Sequence, residues 1–310
     1  MAKIGVLAAP VTPFNLKDNS IDEVALERLF REILHSEAID GIVPNAHAAE
    51  GAVLTMEERR LCLSVIKELN VNKKQVIACV IAESTKDAIK QAQDAKEFGC
   101  DAVMVAPPPI YAWSPDESPE IAIDFHKRIT EESGMPMYLF VYPEGNPYCY
   151  SPATIKAILT AVPNFKAVKL TYKNIVGYQN AYQVIKSVNP EIGVLPTSPA
   201  MVFPLSCLKM VDGVLAGGAN FVAEDFSQII RLCAQNDYDG ARIIHERVFP
   251  LAQALLAKPY AYLHSRYKYV AYIVGAIPNP SVRAPQLDIS AEDKARLRAA
   301  AIHAGLKIVH

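Results

Sequence analysis

Phe165-Lys166-Ala167-Val168-Lys169-Leu170-Thr171 is a short, largely apolar run that carries two amines. Its length and composition read as a β-strand, and strand alternation sets Lys166 and Lys169 on opposite faces. A lysine buried in such a setting loses the hydration of its ammonium form, so its pKa falls and the free base can attack a carbonyl to give a Schiff base. A lysine at a strand end that simply reaches water accounts for either residue equally well. Both readings stay open on this segment alone.

The run is one of eight. Similar apolar stretches fall near residues 4–9, 40–44, 75–80, 101–106, 136–142, 192–196 and 212–217, and all alternate with stretches of helical length and periodicity. Such alternation predicts a parallel sheet, and eight units in this length predict an α/β fold of the closed (β/α)8 TIM-barrel type over an open doubly wound sheet. Thr55-Met-Glu-Glu58 and Ser290-Ala-Glu-Asp293 have capping-box spacing, and Ser151-Pro152 offers an N-cap with proline at the first helical position. The strand pattern stops after about residue 236, and helical runs follow at 239–257 and 291–304. Residues 1–236 are therefore expected to form the barrel and 237–310 a C-terminal helical extension. Two loops, Ala106 to Pro115 with Tyr111 and Trp113, and Pro143 to Tyr150, are expected on the C-terminal face, where barrels of this kind build their sites. Tyr111 reads there as a functional aromatic or as loop packing.

The 310 residues are 51% hydrophobic and 21% charged, with a formal net charge of -2. That balance leaves no electrostatic footprint for nucleic acid and no basic patch for a membrane surface. No apolar stretch is long enough to span a bilayer, and Met1-Ala-Lys-Ile4 does not open a secretory leader, so a cytoplasmic protein acting on a small molecule is expected. Cys62, Cys79, Cys100, Cys149, Cys207 and Cys233 show no Cys-x-x-Cys spacing and read as buried free thiols. The seven histidines show no metal-site spacing, so no metal is expected. Nor is a cofactor, because an imine supplies its own electron sink.

Ala8-Ala-Pro-Val-Thr12-Pro13-Phe14 with a polar turn to Ile21-Asp22, Glu50 to Thr55, Tyr142-Pro143, Pro163 to Lys169, and Gly213 to Asn220 follow one another in the chain. In that order they resemble the dihydrodipicolinate synthase/N-acetylneuraminate lyase family of class I aldolases, over nearly the whole sequence. The resemblance implies that Lys169 is the Schiff-base nucleophile and that Gly217 borders the substrate site. It also implies a C-terminal helical extension and a homotetramer built as a dimer of dimers. In such dimers a loop tyrosine crosses into the neighbouring site, so Tyr111 is expected to act in trans.

The departures from the family pattern are local. Where the family carries Gly-Thr-Thr-Gly-Glu after the second strand, this chain reads Ala46-His47-Ala48-Ala49-Glu50, without either hydroxyl. His47 is a candidate donor to a substrate carboxylate or an acid/base, or else a histidine satisfying a backbone carbonyl. The family's relay tyrosine, three residues before the strand-five proline, is Phe140. Tyr142 lies on the same strand face, about 6–7 Å nearer the barrel mouth, and is either the replacement relay or structural. Glu144-Gly145-Asn146 stands where dihydrodipicolinate synthases have an arginine, and Pro196-Thr197-Ser198-Pro199 replaces the usual strand-seven turn. Both changes disfavour lysine biosynthesis.

These readings combine into a Schiff-base lyase acting on a 2-oxo acid or related carbonyl compound by aldol cleavage, condensation or dehydration. Lys169 is the nucleophile and Tyr142 and Tyr111 are candidate proton relays. Phe140 and Gly217 shape the pocket, and His47 with the amides of Ala48 and Ala49 holds the acid group. The alternatives are a sugar-acid dehydratase and a catalytically silent carbonyl-binding or regulatory barrel.

Overall fold

A parallel strand covered by helices on one side and by its neighbours' side chains on the other has no polar face, so it reads as a continuous apolar run. All eight such runs become strands in the computed structural model, which describes residues 4–114 and 116–310. Met1 to Lys3, part of the leader reading, and Pro115, the end of the strand-four loop, lie outside the described residues. The strands are β1 (Gly5–Ala8), β2 (Gly41–Ile42), β3 (Gln75–Val80), β4 (Ala102–Val105), β5 (Met137–Val141), β6 (Phe165–Leu170), β7 (Gly193–Pro196) and β8 (Gly213–Ala216). Each of β1 to β7 is followed by a helix: α1 (Glu23–His35), α2 (Met56–Leu69), α3 (Thr85–Glu97), α4 (Pro119–Ser133), α5 (Pro152–Ala161), α6 (Ile175–Val188) and α7 (Pro199–Cys207). After β8 come α8 (Ala219–Ala234), α9 (Tyr238–Leu255), α10 (Leu263–Ile273) and α11 (Ala291–His303). The chain is a (β/α)8 barrel with C-terminal helices.

Local chemistry starts the helices where the spacing says it should. Thr55 and Glu58 exchange both bonds of a capping box at α2, and Ser151 caps α5. Ser290 caps α11 through the Asp293 amide alone. Helix α10 has no counterpart among the helical runs of the sequence. It buries Arg266 and Lys268 among apolar residues and so shows no polar stripe. The apolar surface of α8 to α11 joins that of β1 and α1 in one continuous core. All six cysteines are free thiols, but Cys100, Cys149 and Cys207 are only half-buried, because they sit at element ends rather than in the core.

Parallel pairing runs β7-β6-β5-β4-β3-β2-β1-β8, and Asp212 bridges the seam between β7 and β8 with both its backbone and its side chain. Asp212 donates its backbone N–H to the Val194 carbonyl at 3.1 Å and accepts the Val194 N–H on Oδ2 at 2.9 Å. Asp40 treats Val6, and Asp101 treats Val76, in the same way. In each case an aspartate just ahead of a strand stands in for a missing ladder partner. Asp212 also takes the Lys186 ammonium at 2.8 Å. Asp212→Ala leaves the Val194 N–H unpaired and the Lys186 ammonium with only the Pro190 and Ile192 carbonyls and no counter-charge, and is expected to cost roughly 3 kcal/mol of stability in urea unfolding. Asp212→Asn, which keeps an acceptor, is expected to cost less.

Candidate active site

The register of β5, β6 and β7 pairs Phe140 with Lys169 and Lys169 with Leu195, so these three residues share one level of the barrel interior. Lys169 points inward and is 7% exposed, while Lys166 faces out into solvent. The two readings left open for these amines therefore separate: one lysine is buried and the other reaches water. Burial pushes the Lys169 amine down to about 8, with the nearby Cys79 acting weakly in the opposite sense. Its Nζ stands 4.0 Å from the Phe140 ring centroid.

A second buried lysine shows what is unusual about the first. Lys268, on α10, is also pushed down to about 8 by burial, but its Nζ meets Glu50 Oε1 at 2.5 Å and donates to the Ser281 carbonyl at 2.6 Å. Lys169 has no carboxylate partner among the described residues. Lys268 is therefore spent on the fold, and the Lys169 amine remains available.

Lys169 opens into a cavity of about 260 Å³ at the C-terminal end of the barrel, bordered also by His47, Ala48, Phe140, Tyr142 and Gly217. No aspartate, glutamate or arginine borders it among the described residues. Three larger surface hollows lie elsewhere, and neither Lys169 nor His47, Phe140 or Tyr142 borders them. Sequence reasoning missed the cover supplied by the C-terminal segment: Leu256, Tyr260, Leu263, His264 and Tyr267 complete the wall. Lys173 also faces the cavity, with its Nζ 3.4 Å from the Tyr260 ring centroid.

The loop after β2 is bent so that His47 enters the cavity. Asn45 and Glu50 both adopt left-handed backbone conformations (φ 59° and 55°), a placement that non-glycine residues hold only when their surroundings over-determine it. Between them His47 to Ala49 form one tight 3-10 turn, and Glu50 is anchored by Lys268 and by the Arg283 N–H at 2.9 Å. A side chain at Gly51 would run into the Asn45 carbonyl, so only glycine closes this bend. The turn consumes the Ala49 N–H, which donates to Ala46, and the Ala48 N–H is left without a protein acceptor among the described residues. Ala49 does not border the cavity, so of the two amides expected to hold an acid group only that of Ala48 is on hand.

Tyr142 Oη is hydrogen-bonded to His47 Nε2. The Tyr142 ring leans back over Phe140, with centroids 4.7 Å apart and planes at 29°. Burial lifts the Tyr142 hydroxyl well above its ordinary range and pushes His47 down to about 3, with Lys169 adding to the second shift. Both groups are thus neutral at neutral pH, which removes the charged-donor role for His47. What remains is a bond that can carry its proton on either partner, according to the imidazole tautomer.

Tyr111 sits elsewhere. It is fully buried outside the barrel interior, edge-on to Tyr150 at 4.8 Å between centroids, with its hydroxyl 3.4 Å from Thr154 Oγ1. Its neighbours Ile110 and Trp113 are exposed.

An eight-stranded barrel whose C-terminal face holds a buried, unpaired amine in an acid-free cavity has the form of an enzyme site. The family model for the Dihydrodipicolinate synthetase family matches residues 2–304, and the chain belongs to that family of lyases. It is 26% identical over 294 residues to the 4-hydroxy-tetrahydrodipicolinate synthase of Persephonella marina, covering 95% of this chain and 96% of that protein. To the enzyme of the same name from Helicobacter pylori it is 27% identical over 293 residues, covering 92% and 93%. The dihydrodipicolinate synthase structure from Thermotoga maritima shares the fold with a TM-score of 0.87 at 21% identity, covering 99% of this chain and all of that one. Among the described residues no helix is long and apolar enough to cross a membrane, and no cluster of metal-ligating side chains occurs.

The depressed His47 pKa sets a pH dependence. The folded value, about 3, lies below the unfolded value of 6.5, so the unfolded chain binds more protons between them and stability falls as pH drops below about 6.5. His47→Gln removes this titration. It is expected to flatten the stability–pH curve, by roughly 2 kcal/mol at pH 5, in denaturant unfolding followed across pH.

Proposed function

We propose that this chain is a class I Schiff-base lyase whose Lys169 forms an imine with a 2-oxo acid. The observation that carries this reading is the buried Lys169 amine, pushed down to about 8, in a cavity without a single carboxylate. A resident acid would pair with the amine and repel an anionic substrate, whereas its absence favours one. The free base attacks the keto carbon, and loss of water leaves a protonated imine. That cation withdraws electrons from the neighbouring carbon, so a C–C or C–H bond there can break to give an enamine.

Phe140 and Tyr142 divide the work that one tyrosine does in the usual family pattern. Phe140 cannot move a proton, but its ring face, 4.0 Å from Nζ, favours the charged iminium by about 0.5–2 kcal/mol. Proton transfer falls to Tyr142, whose hydroxyl exchanges its hydrogen bond with His47. Because both groups are neutral, Tyr142 acts as a shuttle that gives up its own proton as it takes another, from the carbinolamine nitrogen to its departing oxygen, so that no net charge builds in the wall. Tyr111, packed in its own core, is not assigned a step.

The relatives' name offers a second reading, the 4-hydroxy-tetrahydrodipicolinate synthase reaction. The chain lacks an arginine in the segment after Pro143, and none borders the cavity among the described residues, so a condensation, cleavage or dehydration with another partner fits better. Exposed Ile110 and Trp113 support self-association into the tetramer expected of the family.

Borohydride added with a 2-oxo acid is expected to add the reduced substrate mass to Lys169 and to abolish activity, leaving Lys166 free. An adduct on Lys166, or none with any of a broad carbonyl panel, contradicts the mechanism. Tyr142→Phe is expected to lower turnover at least about tenfold while trapping at Lys169 persists, because imine formation and later proton transfer are separable. Full activity in Tyr142→Phe would remove the tyrosine from the relay.

A further inference from the structure

We propose that Tyr267, on α10 of the C-terminal segment, is a substrate-anchoring residue whose hydroxyl, together with the Ala48 N–H, receives the carboxylate of the 2-oxo acid. This inference rests on the Schiff-base reading and names the group that orients its substrate. Family members usually place two threonine hydroxyls after the second strand, and here those positions are His47 and Ala48, which leaves an acid group without its customary donors.

The Tyr267 phenol is held at that gap. A Cβ built on Gly217 would lie 2.9 Å from Tyr267 Cζ, the atom that bears the hydroxyl, and 3.2 Å from the Ala48 Cβ. The hydroxyl end of Tyr267, Gly217 and Ala48 therefore meet at one point of the cavity wall. Glycine at 217 is what lets the ring approach so closely. On its other side the ring stacks on Phe221, with centroids 6.3 Å apart and planes at 26°.

Tyr267 is 4% exposed, yet its hydroxyl makes no hydrogen bond to any described residue. A buried tyrosine normally finds a partner for its hydroxyl, so a free one facing a cavity is a donor in waiting. Burial lifts its pKa above the ordinary tyrosine value, which keeps the proton on the oxygen at neutral pH. The Ala48 N–H is the second free donor, and no carboxylate in the wall competes for either. Two neutral donors side by side in an acid-free wall, in a cavity that also holds two lysines, suit the two oxygens of a carboxylate.

The test uses the whole protein, with pyruvate and hydroxyacetone as probes that differ in the carboxylate. Half-saturating concentrations are read from borohydride trapping at Lys169. Tyr267→Phe keeps the ring on Phe221 and is expected to raise the pyruvate value about tenfold or more, the size of a lost hydrogen bond to a charged group. The hydroxyacetone value is expected to stay within about twofold, and maximal trapping to be unchanged. No shift for pyruvate, or equal shifts for both probes, overturns the assignment, since a merely structural role affects both alike. If the wild-type protein traps neither probe, nor any of the broad carbonyl panel, the Lys169 reading fails. Calorimetric binding of pyruvate to wild type and Tyr267→Phe then decides the anchor by itself: weaker binding in the variant supports it, and equal binding overturns it.

Discussion

The arrangement depends on one electrostatic fact: an amine is held inside the barrel with no negative charge beside it. Desolvation drives the fall of Lys169 to about 8, against the opposing effect of Cys79. Every neighbour is consistent with keeping it so. The Phe140 ring offers a polarisable face in place of a carboxylate, His47 is neutral, and the cavity wall has no acid. Lys268 shows the alternative outcome, in which a buried lysine is matched to Glu50 and becomes part of the framework.

That framework gives the C-terminal helices a share in the site. Glu50 lies in the left-handed backbone region at the end of the His47 turn, and its carboxylate is gripped by Lys268 of α10 and by the Arg283 amide. Arg283 in turn pairs with Glu58 at 2.5 Å, and both cations lie over the Phe14 ring. The bend that presents His47 and the helix that presents Tyr267 are thus held by the same charges. Removing one partner leaves a buried charge uncompensated, so the two parts of the wall are coupled through the fold.

The strands were legible because a parallel barrel buries both faces, and that constraint writes itself as eight apolar runs. Strand alternation set Lys169 and Lys166 on opposite faces without saying which face was inward; the family resemblance singled out Lys169, and burial separates the two. The Tyr142–His47 bond was not legible, because its partners are 95 residues apart and no local pattern reports a contact across the barrel mouth. Helix α10 stayed hidden because Arg266 and Lys268 are buried where a helical pattern reads charged residues as exposed. Tyr111 carried two readings, functional aromatic or loop packing; within one chain the core takes it and Ile110 and Trp113 are exposed, while its expected role in a neighbouring subunit's site belongs to the assembled oligomer. The amide of Ala49 was lost to the geometry of a turn that spacing does not disclose.

The most direct test of this account is the ionisation of Lys169 itself. A nitrogen or carbon NMR titration of the protein with labelled lysine should show two amines titrating near 8, those of Lys169 and Lys268, and the one that disappears in Lys169→Ala is the nucleophile. A Lys169 resonance titrating near the ordinary lysine value of about 10.4 would mean that the amine is solvated or paired, and would contradict the claim that burial makes it the nucleophile.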